Sequence, residues 1–252
     1  MPYPIQWVLS LIFVVQMYVA MVVLAIFFTP MVFFKRDMAF TAVHTYCNWV
    51  RFSARMLVGL RSEIRGEVPT DEVIIASKHQ SFFDIILITS AVPRPKFIMK
   101  KQILWTPIVG FYAKRIGCIP VDRGKRGQAV RKMVADVRSG AAMPGQLIIF
   151  PQGTRVAAGA QKPYKVGAGV LYEQTGQACV PAATNVGVFW KRHGIYRGRG
   201  LAVVEFLPRI EQGLEIKAFM ARLEDEVEAK SNALMAEAGF VLPSLDGRDA
   251  AQ

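Results

Sequence analysis

The chain has 252 residues, which allows one large domain or two small ones, and 52% of them are apolar, above the usual globular share. Its net charge of +12 would attract nucleic acid or an anionic lipid surface. No helix-turn-helix, zinc-finger or RNA-binding aromatic pattern accompanies this charge, so the sequence favours lipid over nucleic acid, with a basic soluble surface as the alternative.

The apolar excess lies at the N-terminus. Residues 1–34 carry no charged side chain, and residues 5–28 are almost continuously apolar, long enough to cross a bilayer as a helix. The run lacks the basic start and small-residue cleavage site of a signal peptide, so we expect a retained anchor. Pro30 interrupts the run and Lys35-Arg36 follow, which places the later residues in the cytoplasm. A single span and a re-entrant hairpin bent near Pro30 both fit.

Residues 38–60 predict a second helix, which carries Asn48, Arg51 and Arg55 and therefore suits the membrane interface better than a second span. We assign residues 1–62 to the anchor and interfacial helix. One α/β domain is expected over 63–240, followed by a flexible tail over 241–252.

Short apolar runs alternate with helical patterns after residue 66, which predicts a sheet covered by helices. The predicted strands are 73–77, 96–99, 116–121, 147–150, 179–182 and 201–206. Four helices are predicted. One begins at about Ser81, and the other three cover 128–138, 166–175 and 216–238. The three cysteines are far apart and odd in number, which favours small buried residues over a metal site or a disulfide framework.

A histidine and an aspartate follow the first of these strands. His79 and Asp84 are five residues apart, which on a regular helix means about 500° of rotation and different faces. They can meet only if the chain turns between them. Ser81 is a good N-cap and places Asp84 at the third helical position, from which its carboxylate can point back toward His79. The alternative is that Asp84 only caps the helix.

A second motif, Phe150-Pro151-Gln152-Gly153-Thr154-Arg155, follows another apolar strand. Gly153 allows close backbone approach, Thr154 offers a hydroxyl, and Arg155 can bind a phosphate with two parallel hydrogen bonds. An ordinary turn beside a surface arginine is the alternative interpretation. Arg123 also ends a strand, and Lys100 or its neighbour Lys101 is within possible reach of the same anion.

No nucleophile elbow, Walker loop, zinc-protease motif or dinucleotide-binding glycine motif is present in the sequence. A base beside an anion site, without a protein nucleophile, favours direct attack by an alcohol that carries a phosphate.

The order of these motifs resembles the glycerolipid acyltransferases, specifically the bacterial 1-acyl-sn-glycerol-3-phosphate acyltransferases. Four blocks match over about residues 70–210, which is much more specific than any one block. The blocks are Lys78-His79 through Asp84; Gly117, Ile119 and Arg123; Phe150 through Arg155; and Val180-Pro181-Ala182. The resemblance implies a mixed α/β sheet flanked by helices, with the N-terminal helix or hairpin as membrane anchor.

The resemblance also implies roles for the matched residues. His79 would be the general base and Asp84 the group that orients it. The glycerol phosphate would be bound by Arg123, Gly153, Thr154 and Arg155, with Lys100 as a weaker addition, and Gln152 and Pro181 would support the site. The family's glutamate is Gln152 here, and its second valine in the last block is Ala182. We expect Gln152→Glu to retain activity.

The implied reaction moves an acyl chain from acyl-CoA or acyl-carrier protein to the sn-2 hydroxyl of lysophosphatidate at the cytoplasmic face of the inner membrane. The thioester is already activated, so neither a metal nor another cofactor is expected. Two alternatives stay open at this point. One is a sister acyltransferase that acts on glycerol 3-phosphate or a lyso-aminolipid, and the other is a non-catalytic, membrane-anchored lipid-binding protein.

Overall fold

The structure is a computed structural model that describes residues 2–121, 131, 134, 135 and 143–242. Arg123, most of the helix predicted over 128–138 and nearly all of the predicted tail lie outside the described residues.

Two helices form a hairpin at the N-terminus. Helix α1 covers Tyr3–Phe34, helix α2 covers Met38–Ser53, and a single π-helical turn, Ala54–Val58, follows α2. A hairpin was one of the two alternatives that the sequence left open, but the chain reverses at residues 35–37 and not at Pro30, which lies inside α1. A proline removes one backbone hydrogen bond, and here the buried side chains of Phe28 and Val32 pack on both sides of it.

Both ends of α1 pack against the rest of the protein. Near its start, the Gln6 amide donates to the backbone oxygens of Val58 and Arg197 at 2.9 and 2.8 Å. Near its end, the hydroxyls of Thr29 and Tyr112 lie 3.2 Å apart. Helix α1 is about 48 Å long. Because it contacts the rest of the protein near both of its ends, it lies along the protein and does not project from it.

The opposite face of α1 is exposed and apolar. Its exposed side chains recur at helical spacing and include Val8, Ile12, Val15, Val19, Val22, Val23 and Ile26. Among the described residues, α1 is the one helix that is long and apolar enough to cross a membrane, with a mean hydropathy of 2.7.

Seven strands form one sheet, in the order β1-β7-β6-β2-β5-β3-β4. All neighbours are parallel except β6 and β7, so the predicted mixed α/β sheet is confirmed. The strands are β1 Leu60–Arg65, β2 Ile74–Ser77, β3 Pro95–Lys100, β4 Ile119–Val121, β5 Gln146–Ile149, β6 Cys179–Thr184 and β7 Gly200–Phe206.

Two strands differ from prediction. Strand β1, at the edge of the sheet, was not predicted, because its charged residues alternate with half-buried ones. Strand β4 begins at Ile119 and not at Ile116, because Ile116 ends a helix and Gly117 turns the chain with φ +83°.

Helices cover both faces of the sheet. They are α3 Phe83–Ala91, α4 Pro107–Arg115, α5 Gly167–Thr175 and α6 Ile216–Glu237. The four residues of β2 are all buried, as expected for a central parallel strand with a core on each face. Helix α6 buries Phe219, Leu223 and Val227, spaced four residues apart, against one of these cores.

The three cysteines are free. Cys47 and Cys179 are buried as predicted, whereas Cys118 is half-buried. Burial raises the pKa of the Cys179 thiol to about 12 and that of Cys118 to about 11, so both are protonated at neutral pH.

Strands β2, β5 and β3 are parallel neighbours, so their carboxyl ends meet at one edge of the sheet. The His79 segment follows β2, the Phe150–Arg155 motif follows β5, and Lys100 ends β3. Ligand sites in open α/β sheets form at such an edge, outside the carboxyl ends of the strands.

Candidate active site

The structure brings His79 and Asp84 into direct contact. Nδ1 of His79 lies 3.0 Å from Oδ1 of Asp84, whose side chain is fully buried. The His79 side chain is 13% exposed, so the ring is held in the protein but still accessible. With Nδ1 bonded to the carboxylate, Nε2 is the ring nitrogen that faces away from Asp84.

The local backbone explains this contact. The second carboxylate oxygen of Asp84 accepts hydrogen bonds from the backbone N–H groups of Gln80 and Ser81, at 2.7 and 2.8 Å. These two bonds fix the turn before α3. The N-cap position is held by Phe82 and not by Ser81, so Asp84 is the second helical residue and not the predicted third. The helix itself begins at Phe83, slightly later than expected. One side chain thus fixes the turn and holds the histidine.

The second motif packs directly on the first. The Phe150 ring stacks on the imidazole of His79, with the ring centres 4.0 Å apart and the planes at 20°. The backbone N–H of Val156 donates to the backbone oxygen of His79 at 2.7 Å. Residues 150 and 156 bracket the Gly153-Thr154-Arg155 turn, so the turn lies beside the histidine, as the motif order required.

Gly153 forms a tight turn with a cation above it. Its φ is +70°, a conformation that strains any residue with a Cβ, and its N–H donates to the backbone oxygen of Phe150 at 2.8 Å. The Lys165 ammonium packs so closely over Gly153 that a Cβ at this position would collide with it. A positive group therefore lies at the turn that was predicted to bind an anion.

Sequence reasoning missed Lys165. Its backbone N–H bonds to the backbone oxygen of Pro151 at 3.0 Å, which ties the start of α5 to the motif. The available signal was a lysine two residues before Gly167, the first residue of that helix.

Gln152 points away from the solvent. It is fully buried, and its amide nitrogen lies 3.4 Å from Oε1 of Glu228 on α6. The same carboxylate is ion-paired with the buried ammonium of Lys78, the residue before His79. A carboxylate at position 152 would lie against that of Glu228, a contact that the expectation for Gln152→Glu did not include.

The other predicted site residues lie at different distances from the histidine. Lys100 is exposed at the end of β3, two strands and roughly 10 Å from β2 in the sheet. Arg155 is half-buried, and one of its guanidinium nitrogens lies 3.5 Å from the backbone oxygen of Arg192. Pro181 is buried in β6 and pairs with Ala76 of β2, one strand from the His79 segment.

This arrangement suits proton abstraction from a hydroxyl. An imidazole oriented by a carboxylate takes a proton at its free nitrogen, and nearby cationic and backbone donors hold an anionic group of the same molecule. In the described part of the chain, no group of three or more His, Cys, Asp or Glu side chains is placed to hold a metal ion.

Comparisons with known proteins agree with these features. A protein-family model described as "Acyltransferase" matches residues 60–185, half of the chain. The 1-acyl-sn-glycerol-3-phosphate acyltransferase of Pseudomonas aeruginosa is 26% identical over 216 residues, covering 85% of this chain and 84% of that protein. The mouse 1-acyl-sn-glycerol-3-phosphate acyltransferase alpha is 31% identical over 132 residues, 51% of this chain and 46% of the mouse protein.

A solved structure has the same fold. The crystal structure of the 1-acyl-sn-glycerophosphate acyltransferase from Thermotoga maritima superposes with a TM-score of 0.75. The match covers 90% of this chain and 97% of that chain at 17% sequence identity, so it bears on the fold and not on the substrate.

Proposed function

Because the chain belongs to the acyltransferase family and is an O-acyltransferase, we propose that its acceptor is a 1-acyl-glycerol 3-phosphate. The enzyme transfers an acyl chain to the free sn-2 hydroxyl and produces phosphatidic acid for phospholipid synthesis. The names of the Pseudomonas and mouse relatives support this acceptor. The donor is a soluble thioester, either acyl-CoA or acyl-carrier protein.

The observation that carries the proposal is the contact between two motifs that lie about seventy residues apart in sequence. The His79–Asp84 pair offers a base, and the Phe150–Arg155 motif stacks on that base while presenting its glycine turn beside it. A substrate that carries both an alcohol and a phosphate matches both halves of the site.

The proposed reaction begins with the acceptor hydroxyl at Nε2 of His79. Nε2 takes the hydroxyl proton while the oxygen attacks the thioester carbonyl carbon, and Asp84 stabilises the resulting imidazolium through Nδ1–H. The tetrahedral intermediate then collapses, the carbon–sulfur bond breaks, and the thiolate leaves. The imidazolium returns its proton to the sulfur, which yields the ester, a free thiol and a neutral histidine.

The phosphate of the acceptor binds at the Gly153 turn. Arg155 and Lys165 supply positive charge, and Thr154 supplies a hydroxyl. Gly153 permits close approach because it has no Cβ. Lys100, the last residue of β3, and Arg123, two residues after β4 in the sequence, are proposed as outer contacts for the same anion.

Attachment to the membrane follows from the exposed face of α1. This face is apolar over several turns, whereas the opposite face packs on the catalytic domain at both ends of the helix. We therefore favour a helix that lies in one leaflet over one that spans the bilayer. The catalytic domain then faces the cytoplasm, where the thioester donor is soluble.

An acceptor panel tests the proposed function. Purified protein in lipid vesicles is given acyl-CoA or acyl-carrier protein with lysophosphatidate, glycerol 3-phosphate or a lyso-aminolipid. We expect thioester consumption that depends on lysophosphatidate and yields phosphatidic acid. Preferred acylation of another acceptor would assign the enzyme to a sister activity.

A further inference from the structure

One carboxylate on α6, that of Glu228, contacts residues of both the His79 segment and the Phe150–Arg155 motif. Glu228 lies beyond the segment matched by the family model, which ends at residue 185. Its Oε2 is ion-paired with the ammonium of Lys78, and its Oε1 accepts hydrogen bonds from the Tyr164 hydroxyl at 3.0 Å and the Gln152 amide at 3.4 Å. These donors come from the His79 segment, the glycine-turn motif and the loop that follows it.

The Lys78 ammonium requires this carboxylate. Lys78 is 1% exposed, and a buried ammonium is strongly unfavourable unless an opposite charge is close. Gln152 of the Phe150–Arg155 motif also contacts Glu228, but its side chain is neutral and carries no charge that could balance Lys78. Glu228 therefore supplies the negative charge that balances Lys78.

The charge of Glu228 also sets the orientation of the neutral Gln152 amide. Its amide nitrogen points toward Glu228, since the reverse orientation would place the amide oxygen against a carboxylate. Tyr164 also stays protonated and donates, because burial and then the negative charge of Glu228 raise its pKa. One ammonium and one carboxylate thus share the cluster with two neutral donors.

Both sides of the active site connect to this cluster through short lengths of chain. Lys78 is bonded covalently to His79, and its backbone N–H donates to the oxygen of Ala182 at 3.1 Å. Gln152 lies two residues after Phe150, the ring that stacks on His79, and one residue before Gly153. Movement of Lys78 or Gln152 therefore shifts the base and the anion site relative to each other.

We propose that Glu228 is a positioning residue for acyl transfer, which sets the distance between the histidine base and the phosphate-binding turn through Lys78, Gln152 and Tyr164. The reaction to which this applies is the proposed acyl transfer, but the geometric argument holds for any acceptor. Glu228 contacts no substrate in this account and acts through the two motifs that it joins.

Four variants test the proposal, each measured with the acceptor and donor that the wild-type enzyme uses best. Glu228→Gln removes the charge, Gln152→Glu adds one, the double variant Gln152→Glu/Glu228→Gln moves the charge across the contact, and Glu237→Gln is the control. Glu237 is also on α6 and is ion-paired, with Arg65 at 2.8 Å, but its side chain is 52% exposed.

We expect Glu228→Gln to lower kcat roughly 10- to 100-fold, which is the scale that a displaced catalytic group produces. The double variant should recover to within roughly tenfold of wild type, because one carboxylate again balances Lys78. Glu237→Gln should keep the wild-type kcat. Recovery in the double variant separates positioning from general destabilisation, since two disruptive changes alone would not restore each other.

Gln152→Glu alone gives a second readout, the pH profile. The introduced carboxyl would face Oε1 of Glu228, whose other oxygen is paired with Lys78. Tyr164 and Glu224 are the other titratable groups near Glu228. Two close carboxyls favour sharing a proton, which raises the pKa of the pair. The activity of Gln152→Glu relative to wild type at the same pH should therefore fall as pH rises, and this fall should be absent in the double variant.

The wild-type acceptor panel tests the proposed function separately from these comparisons. Wild-type kcat in folded Glu228→Gln, or a double variant no better than the worse single variant, would overturn the positioning role. If Glu228→Gln does not fold, Tyr164→Phe keeps every charge and removes one donor. An unchanged kcat in Tyr164→Phe together with failed recovery in the double variant would also overturn it.

Discussion

Asp84 uses its two carboxylate oxygens for different tasks. One lies 3.0 Å from Nδ1 of His79, and the other accepts the backbone N–H groups of Gln80 and Ser81 in the turn before α3. The orientation of the imidazole is therefore coupled to a helix terminus and does not depend on a flexible side-chain contact. This coupling leaves Nε2 as the ring nitrogen that is available to a substrate.

Asp84→Asn should inactivate the enzyme without unfolding it. The amide keeps the shape and can still accept the backbone bonds, but it favours the wrong tautomer and no longer stabilises the imidazolium. We expect kcat to fall by roughly 1,000-fold or more. Steady-state kinetics beside a thermal melt checks this, and a folded variant with near-normal kcat would show that Asp84 serves only as a cap.

Gly153→Ala should weaken acceptor binding more than it destabilises the protein. The residue would be strained by about 1–2 kcal/mol at φ +70°, and its Cβ would displace the Lys165 ammonium. The acceptor KM should therefore rise. Gly239→Ala is a matched control, because φ is +74° there and nothing lies within 4 Å of the added Cβ. An equal effect on KM in the two variants would exclude a specific role for the turn.

Arg155→Ala should act on the phosphate of the acceptor. Loss of a charged hydrogen-bond donor should raise the KM for lysophosphatidate roughly tenfold or more, with a smaller effect on an acceptor that lacks the phosphate. Arg209→Ala is the control, since Arg209 pairs with Asp71 at 2.7 Å on the surface. Equal losses with both acceptors would place Arg155 away from the phosphate.

Ile26→Glu should release the protein from membranes while leaving its fold intact. Ile26 is 71% exposed on the apolar face of α1, so the change does not disturb the packed face. Loss of one buried apolar side chain should weaken vesicle binding roughly tenfold or more in a flotation assay. Val241→Glu, at a position 88% exposed after α6, should bind like wild type. Unchanged flotation of Ile26→Glu would remove α1 from the membrane contact.

The sequence predicted the local parts of the site well. The His79–Asp84 contact depends on six consecutive positions and the turn that they form before α3, and both leave a recognisable pattern in the sequence. The alternation of apolar runs likewise predicted six of the seven strands, because a central strand such as β2 is apolar at nearly every position. The edge strand β1 lacks this pattern and was missed.

Contacts between residues far apart in the chain could not be predicted from the sequence in this way. Lys78 and Glu228 are 150 positions apart, and Glu228 belongs to a helix whose many acids give no sign of which one faces the core. Lys165 reaches Gly153 only because the loop after the motif folds back. The sequence likewise left open whether the chain bends at Pro30; α1 continues through it, with buried Phe28 and Val32 on either side.

The central claim is that the His79 imidazole takes the proton of a lipid alcohol, and thioester consumption by His79→Ala tests it most directly. Wild-type protein in vesicles should consume acyl thioester only when lysophosphatidate is present. The His79→Ala variant, with an unchanged melting temperature, should lose this activity by at least about 100-fold. Acyl transfer by the folded variant at the wild-type rate would contradict the account.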